Sequence, residues 1–312
     1  MTSEFAAIAR IRSRLPGPPD TSQVWIGDDA AVLPNLGAGH TLLAADTAVA
    51  GIHADLTLTS LDDFGWKAMA SALSDIAAMG GEPGYCLVTV AAPGGTDLDL
   101  LYDGLAGAAA TYGCPIVGGD LTSAAILVVT VAVTGCCDGQ PVLRSGARPG
   151  DLIWVSGPLG AAAAGLRWLR SPDPGRRRVG EPGLDPVARE LVAAHARPRP
   201  DLAAGRAARL GGARAMIDVS DGLAADIGHI AAASGVGVEL DSVPVAEGAR
   251  PDDALNGGDD YVLLFCGPDP DLIQAAFEGL PRPIRIGRCT PDRGRMTLAG
   301  QPFAPVGWEH QF

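Results

Sequence analysis

The 312-residue chain carries a formal charge of −13, which disfavours nucleic acid and anionic membranes as partners. Its 47% hydrophobic and 19% charged residues describe a globular chain, and no apolar run reaches the roughly 18 residues that cross a bilayer. Its length suits two domains of about 150 residues each.

Taken in order, MTSEFAAIARIRSRL reads as a short amphipathic helix. With Glu4, and without a basic start and an apolar stretch, it does not read as a signal peptide, so a cytoplasmic protein is expected. QVWIG is extended and leads to Asp29; HTLLAAD is extended and ends at Asp46. Ser60, with Asp63 three residues on, resembles a capping box. The helix it opens runs to about Met79, carries an apolar stripe of Trp66, Met69, Leu73 and Ile76, and stops at Gly80-Gly81. Strand GYCLVTVAA, a helix over 97–112, strand CPIVGG and strand AILVVTVAVTG follow. The turn-rich RSGARPGD (144–151) places a domain boundary there, giving 1–148 and 149–312. Beyond it come strand LIWVSG, an Ala-rich helix over 158–170, a polar Pro/Gly loop over 171–183, helices near 186–196 and 201–210, strand AMIDV, a helix over 222–233, strand DYVLLFC, and closing strands at 284–290 and 295–299. The pattern predicts two α/β or α+β units.

The chemistry points to phosphate and metal. Five acidic segments, GDDAAV, AADTAV, ALSDIAAMGG, VGGDLTS and MIDVSDGL, each set Asp beside small or apolar residues at an element's end. Any one of them could merely cap a helix or close a turn. Five of them, in a chain whose one lysine is Lys67, suggest carboxylates that converge on cations, and hard oxygen donors suit Mg²⁺ or Mn²⁺. Asp75 carries the local argument: it lies near a helix C-terminus, where the dipole disfavours an anion by roughly 0.3–1 kcal/mol. In MIDVSDGL, Ser220 is the expected N-cap, and the helix N-terminus would offer N–H groups to a phosphate. Phosphate-binding G-x-x-x-x-G-K-[ST], protein-kinase motifs and a G-x-S-x-G elbow are all missing. His53, His195 and His229 are scattered, which argues against a histidine metal site. The six cysteines form no C-x-x-C pair and are expected to be reduced core residues rather than zinc ligands.

IGDDAAVL, AADTAVAGIHAD, GWKAMASALSDIAAMGGEP, YGCPIVGGDLT, RSGARPGD, MIDVSDGLAADIGHIAAASG, NGGDDYVLLF and VGWEHQF, in this order, resemble the thiamine-monophosphate kinases of the aminoimidazole-ribonucleotide-synthetase-like superfamily. The resemblance spans Glu4 to Phe312. It implies two α/β domains, an N-terminal domain that binds ATP and metal and joins its sheet to that of a second subunit, and ATP-dependent phosphorylation of thiamine monophosphate to thiamine diphosphate. It further implies metal ligands Asp29, Asp46, Asp75, Asp120, Asp218 and Asp221, nucleotide contacts from Tyr102, Gly119, Asp120, Arg144 and Ser220, and thiamine phosphate near His53, Asp259 and Trp308. No general base is assigned, since the acceptor is itself a phosphate. Three departures bear on this: Ala44-Ala45 replace the usual hydroxyl residues, Asp259 replaces a Glu, and the tail WEHQF is one residue off the usual ending. Rival readings are another ATP-using enzyme of the superfamily and a non-catalytic binder of nucleotide or metal.

Overall fold

The computed structural model describes residues 23–24, 28, 30–34, 39–171 and 185–309. The expected N-terminal helix, Asp29 and most of the polar loop 171–183 lie outside the described residues.

Five strands form the first sheet: β1 (Ala31–Pro34), β2 (His40–Val49), β3 (Glu82–Ala92), β4 (Ile116–Ser123) and β5 (Val128–Cys137), in the order β1-β2-β5-β3-β4. Only β3 and β4 run parallel. Alternation along the strands sorts the side chains to two faces. Val88, Val90, Val129, Val131 and Val133 are buried under helices α1 (Leu61–Ala78) and α2 (Leu98–Tyr112), whereas Tyr85, Leu87, Val117 and Leu121 are exposed. The two helices approach to backbone contact: a Cβ on Gly104 would lie 1.7 Å from the Asp62 carbonyl oxygen, so only glycine fits there.

Helix α1 starts and stops as its sequence dictates. Ser60 accepts from the Asp63 N–H and donates its hydroxyl proton to the Asp63 carboxylate at 2.8 Å. Past the C-cap Met79, Gly80 takes φ +69.

The second sheet has seven strands: β6 (Leu152–Val155), β7 (Ala215–Asp218), β8 (Gly237–Leu240), β9 (Leu263–Gly267), β10 (Ile284–Thr290), β11 (Met296–Leu298) and β12 (Gln301–Pro302), ordered β12-β11-β8-β10-β6-β9-β7. Helices α3 (Ala161–Leu169), α4 (Pro186–Ala196), α5 (Leu202–Leu210), α6 (Leu223–Ser234), α7 (Pro251–Asn256) and α8 (Pro270–Ala276) accompany it. Both faces are covered. Ile153, Val155, Ile217 and Leu264 share a core with Leu223, Ile227 and Ile230 of α6. Their neighbours Trp154, Met216, Leu263 and Phe265 pack with Ala204 and Ala208 of α5 and with Ala77 and Ala78 of α1. The last two residues belong to the first sheet's helix, so α1 is packed between the two sheets.

Several expectations change. Asp46 stands within β2, opposite Val131, because the ladder to β5 continues through Val49. The strand expected from Asp260 begins at Leu263. Strands β8 and β12 and helices α7 and α8 were not anticipated; all are short, with too few residues for a clear period. Five of the six cysteines are buried and all are free thiols; Cys136 is exposed. Among the described residues no helix is long and apolar enough to cross a membrane.

Candidate active site

Helix α1 presents Lys67, Ser71, Ser74 and Asp75 at helical spacing toward the second sheet. Ser74, fully buried, donates to the Asp218 carboxylate at 2.6 Å, fixing the acid at the end of β7. Lys67 pairs with Asp259 at 2.8 Å. Ser71 and Asp75 line a cleft of about 1360 Å³ between the two halves of the chain.

That cleft collects most of the residues singled out above. Asp46, Asp75, Asp218, Asp221, Arg144, Ser220, His53, Asp259 and Trp308 all line it. Seven aspartates face it against three arginines, Arg144, Arg167 and Arg170. Arg167 is already committed to Asp253 at 2.5 Å. The cleft is therefore strongly acidic and suited to cations.

Asp28, which sequence reasoning missed, and His53 and Trp308, which it named, show how this set is held in place. Asp28 accepts from the Arg144 N–H at 3.1 Å, tying the start of the described chain to the RSGARPGD turn. His53 accepts the Val49 N–H on Nδ1 at 3.0 Å, which leaves Nε2 as the proton-bearing nitrogen of the neutral ring. Trp308 is 55% exposed, and its backbone N–H donates to the Asp221 carbonyl, so the C-terminal segment returns to the cleft. It is not a buried packing tryptophan.

Two expectations about MIDVSDGL are corrected. Ser220 does not cap the following helix. The cap is Gly222 at φ +116, pressed against the Asn256 backbone where a Cβ would lie within 2.9 Å. The N–H groups of Asp221 and Gly222 are taken by the Asp226 carboxylate, which reaches back from the first turn of α6. Burial, with Asp221 and Asp218 nearby, pushes Asp226 well above the usual carboxylate range. The N-terminus of α3 is closed in the same way: Asp260 accepts from Gly160 and Ala162, and burial raises its pKa to about 6. The N–H groups of Gly222, Gly160 and Ala162 are thus committed, and Leu223 and Ala224 behind them are fully buried, so an anion in this cleft is met chiefly by cations.

His229, expected to be isolated, lies with Asp221 and Asp226, one ligand atom of each within 4.8 Å of the others. Among the described residues this is the single cluster of three so close. Asp46, Asp75, Asp218 and Asp221 thus do not form a compact cage.

Tyr102, Gly119 and Asp120 are not brought into this cleft. They line a shallow depression with Ile116 and Leu121, on and beside the exposed strand β4. Asp29 lies outside the described residues.

Two tightly packed α/β halves, with an aspartate-lined cleft along a shared helix, define the class of protein. The AIR synthase related protein models match it, the N-terminal domain over residues 27–137 and the C-terminal domain over 148–298. Thiamine-monophosphate kinase of Mycobacterium tuberculosis is 39% identical over 91% of this chain and 86% of that protein. The enzyme of that name from Methanopyrus kandleri is 36% identical over 89% and 87%. The structure of AaThiL complexed with AMPPCP and TMP superposes with a TM-score of 0.85 at 29% identity, over 99% of this chain and 97% of that one. The chain belongs to the thiamine-monophosphate kinase family.

One titration is built into the cleft wall. His195 is 4% exposed, and burial, reinforced by Lys67, pushes its pKa down to about 3. A pKa below the unfolded value of about 6.5 means stability that is complete above pH 6.5 and falls as pH drops toward 3. Between pH 7.5 and pH 5, urea unfolding should show the native chain losing about 2 kcal/mol more than His195→Leu. Equal losses would contradict a buried neutral imidazole.

Proposed function

We propose that the chain transfers the γ-phosphoryl group of ATP to thiamine monophosphate, giving thiamine diphosphate and ADP. The observation that carries this reading is the convergence of Asp46, Asp75, Asp218 and Asp221, from three separate segments, on the cleft that also holds Arg144, His53, Asp259 and Trp308. Relatives named for this activity, and a superposable structure that holds AMPPCP and TMP, support it.

A terminal phosphate oxygen of the acceptor forms the new bond to the γ-phosphorus while the bond to the ADP oxygen breaks. The acceptor phosphate is already ionised near neutral pH, so no side chain has to remove a proton. What opposes the reaction is repulsion between two polyanions. Charge neutralisation and in-line alignment are the chemistry that bound Mg²⁺, or Mn²⁺ as the alternative, would supply. The donor set fits such ions. Asp46, Asp75, Asp218 and Asp221 are hard oxygen donors, and their open spacing leaves room for the waters that Mg²⁺ retains. Asp29 and Asp120 complete the set by family resemblance. Arg144 would place a fixed cation beside the nucleotide phosphates, and Ser220 lines the same cleft. Trp308 offers its face to the thiazolium, a contact worth about 0.5–2 kcal/mol, while His53 and Asp259 bound the rest of the acceptor.

Tyr102, Gly119 and Asp120 enter this reading through a second copy of the chain. The outer face of the first sheet exposes Leu43, Tyr85, Leu87 and Val117, each at least 40% accessible, and the edge strand β4 also exposes Leu121. Such a contiguous apolar face is characteristic of an interface. In a two-fold dimer built on it, β4 of one protomer brings Tyr102, Gly119 and Asp120 toward the cleft of its partner. A cytoplasmic location belongs to the same reading.

A coupled ADP-release assay with ATP and Mg²⁺ should show turnover with thiamine monophosphate and none with free thiamine or formylglycinamidine ribonucleotide. No turnover of the first compound by protein that binds ATP would sink the assignment. Asp75→Asn and Asp120→Asn chains should each be inactive alone. Mixed and re-equilibrated in equal amounts they should recover up to about a quarter of native sites, because each heterodimer regains one intact cleft. No recovery on mixing would refute the shared site.

A further inference from the structure

Lys67 is the chain's one lysine, and it sits where α1 would otherwise bury an apolar side chain. Its side chain is 5% accessible, and an ammonium group that deep requires a partner. The partner is Asp259, 192 residues away in sequence, whose side chain remains 36% accessible and faces the cleft. The pair is thus one-sided: a buried cation behind, a reachable carboxylate in front.

The segment that carries Asp259 is held against its conformational preference. Asp259 has φ +66 and Tyr261 φ +51, two of the three non-glycine residues with positive φ among the described residues. Asp259 N–H donates to the Ser220 carbonyl and Tyr261 N–H to the Val219 carbonyl, both at 2.9 Å. Strain of this kind persists where surroundings over-determine it, commonly at ligand sites. The Tyr261 hydroxyl donates to the second Asp259 oxygen at 3.3 Å, so both oxygens are gripped from behind.

The groups around the carboxylate leave one cation in charge. His195 is buried and neutral, kept so by burial, by Lys67 and by Arg170. Asp46 and Asp218 face the neighbouring Tyr261 and are repulsive. Lys67 is what keeps Asp259 below the usual carboxylate range against the cost of its burial.

We infer that Lys67 is a positioning residue for the phosphoryl acceptor: through Asp259 it fixes the carboxylate that takes an N–H donor of the acceptor's amino-heterocycle. The inference rests on the kinase reading above. It also accounts for the short Asp at this position. A carboxylate drawn back onto Lys67 discriminates by hydrogen bonding and not by filling space.

The test is steady-state kinetics on native, Lys67→Met, Asp259→Asn and doubly substituted chains, with thiamine monophosphate and its 4-oxo analogue as acceptors. Lys67→Met should raise KM for thiamine monophosphate by about tenfold or more, with KM for ATP changed by less than about twofold. Preference for the amino over the 4-oxo acceptor should fall in both single variants. The double variant should be no worse than Asp259→Asn alone, because the two residues act as one unit. It also removes both charges together, so it keeps the test open should the carboxylate stranded in Lys67→Met unfold that single variant. A native KM for thiamine monophosphate in Lys67→Met, a double variant whose losses multiply, or a rise confined to KM for ATP would overturn the role of Lys67 and leave the kinase reading intact. Absence of turnover by the native chain would overturn both.

Discussion

Carboxylates that face one another across a cleft repel, and everything about this molecule's centre follows from how that repulsion is met. The seven aspartates of the cleft come from both halves of the chain, and three arginines do not balance them. The two helix starts that border the cleft are closed by Asp226 and Asp260, so backbone N–H groups do not balance an incoming phosphate either. In the proposed reading divalent cations resolve both problems together: they hold the acids in place and make room for a second and third polyanion.

The fold's part is to make the opposing acids face one another at fixed separation. Helix α1 does this by serving two sheets. Its apolar residues Phe64, Met69, Leu73 and Ile76 belong to the first core, while Ala77 and Ala78 belong to the core under the second sheet. Its polar stripe then faces the cleft and points at the ends of β7 and the segment before β9. Ser74 on Asp218 and Lys67 on Asp259 are the two direct links across the cleft floor. Each is buried on the α1 side, where an unpaired hydroxyl or ammonium would cost more than its hydrogen bond returns in water. Closing the two halves on one another and assembling the site are thus a single event.

Local chemistry was legible in the sequence, and long-range pairing was not. Ser60, Gly80 and the stripe between them announce α1; the alternation of 84–92 announces β3; the ordered acidic segments announce the family. The partner of Lys67 is invisible at a separation of 192 residues, and so is the burial that leaves His195 neutral. Ser220 misled because its position before a helix suits an N-cap, whereas the turn at Gly222 is set by contact with Asn256 and by Asp226 reaching backward. Tyr102, Gly119 and Asp120 stand apart from the cleft because β4 is an edge strand of a sheet whose outer face is bare. Nothing within one chain's sequence says whether such residues serve their own cleft or another's.

The claim at the centre is that this acidic cleft accepts a nucleotide only with cations between. Calorimetric titration of AMPPCP into the protein, with Mg²⁺ and again in excess EDTA, measures that directly. The account predicts binding with Mg²⁺ that weakens by about tenfold or more in EDTA, since removing the cations exposes the nucleotide to the carboxylates. Equal affinity in the two titrations would contradict it.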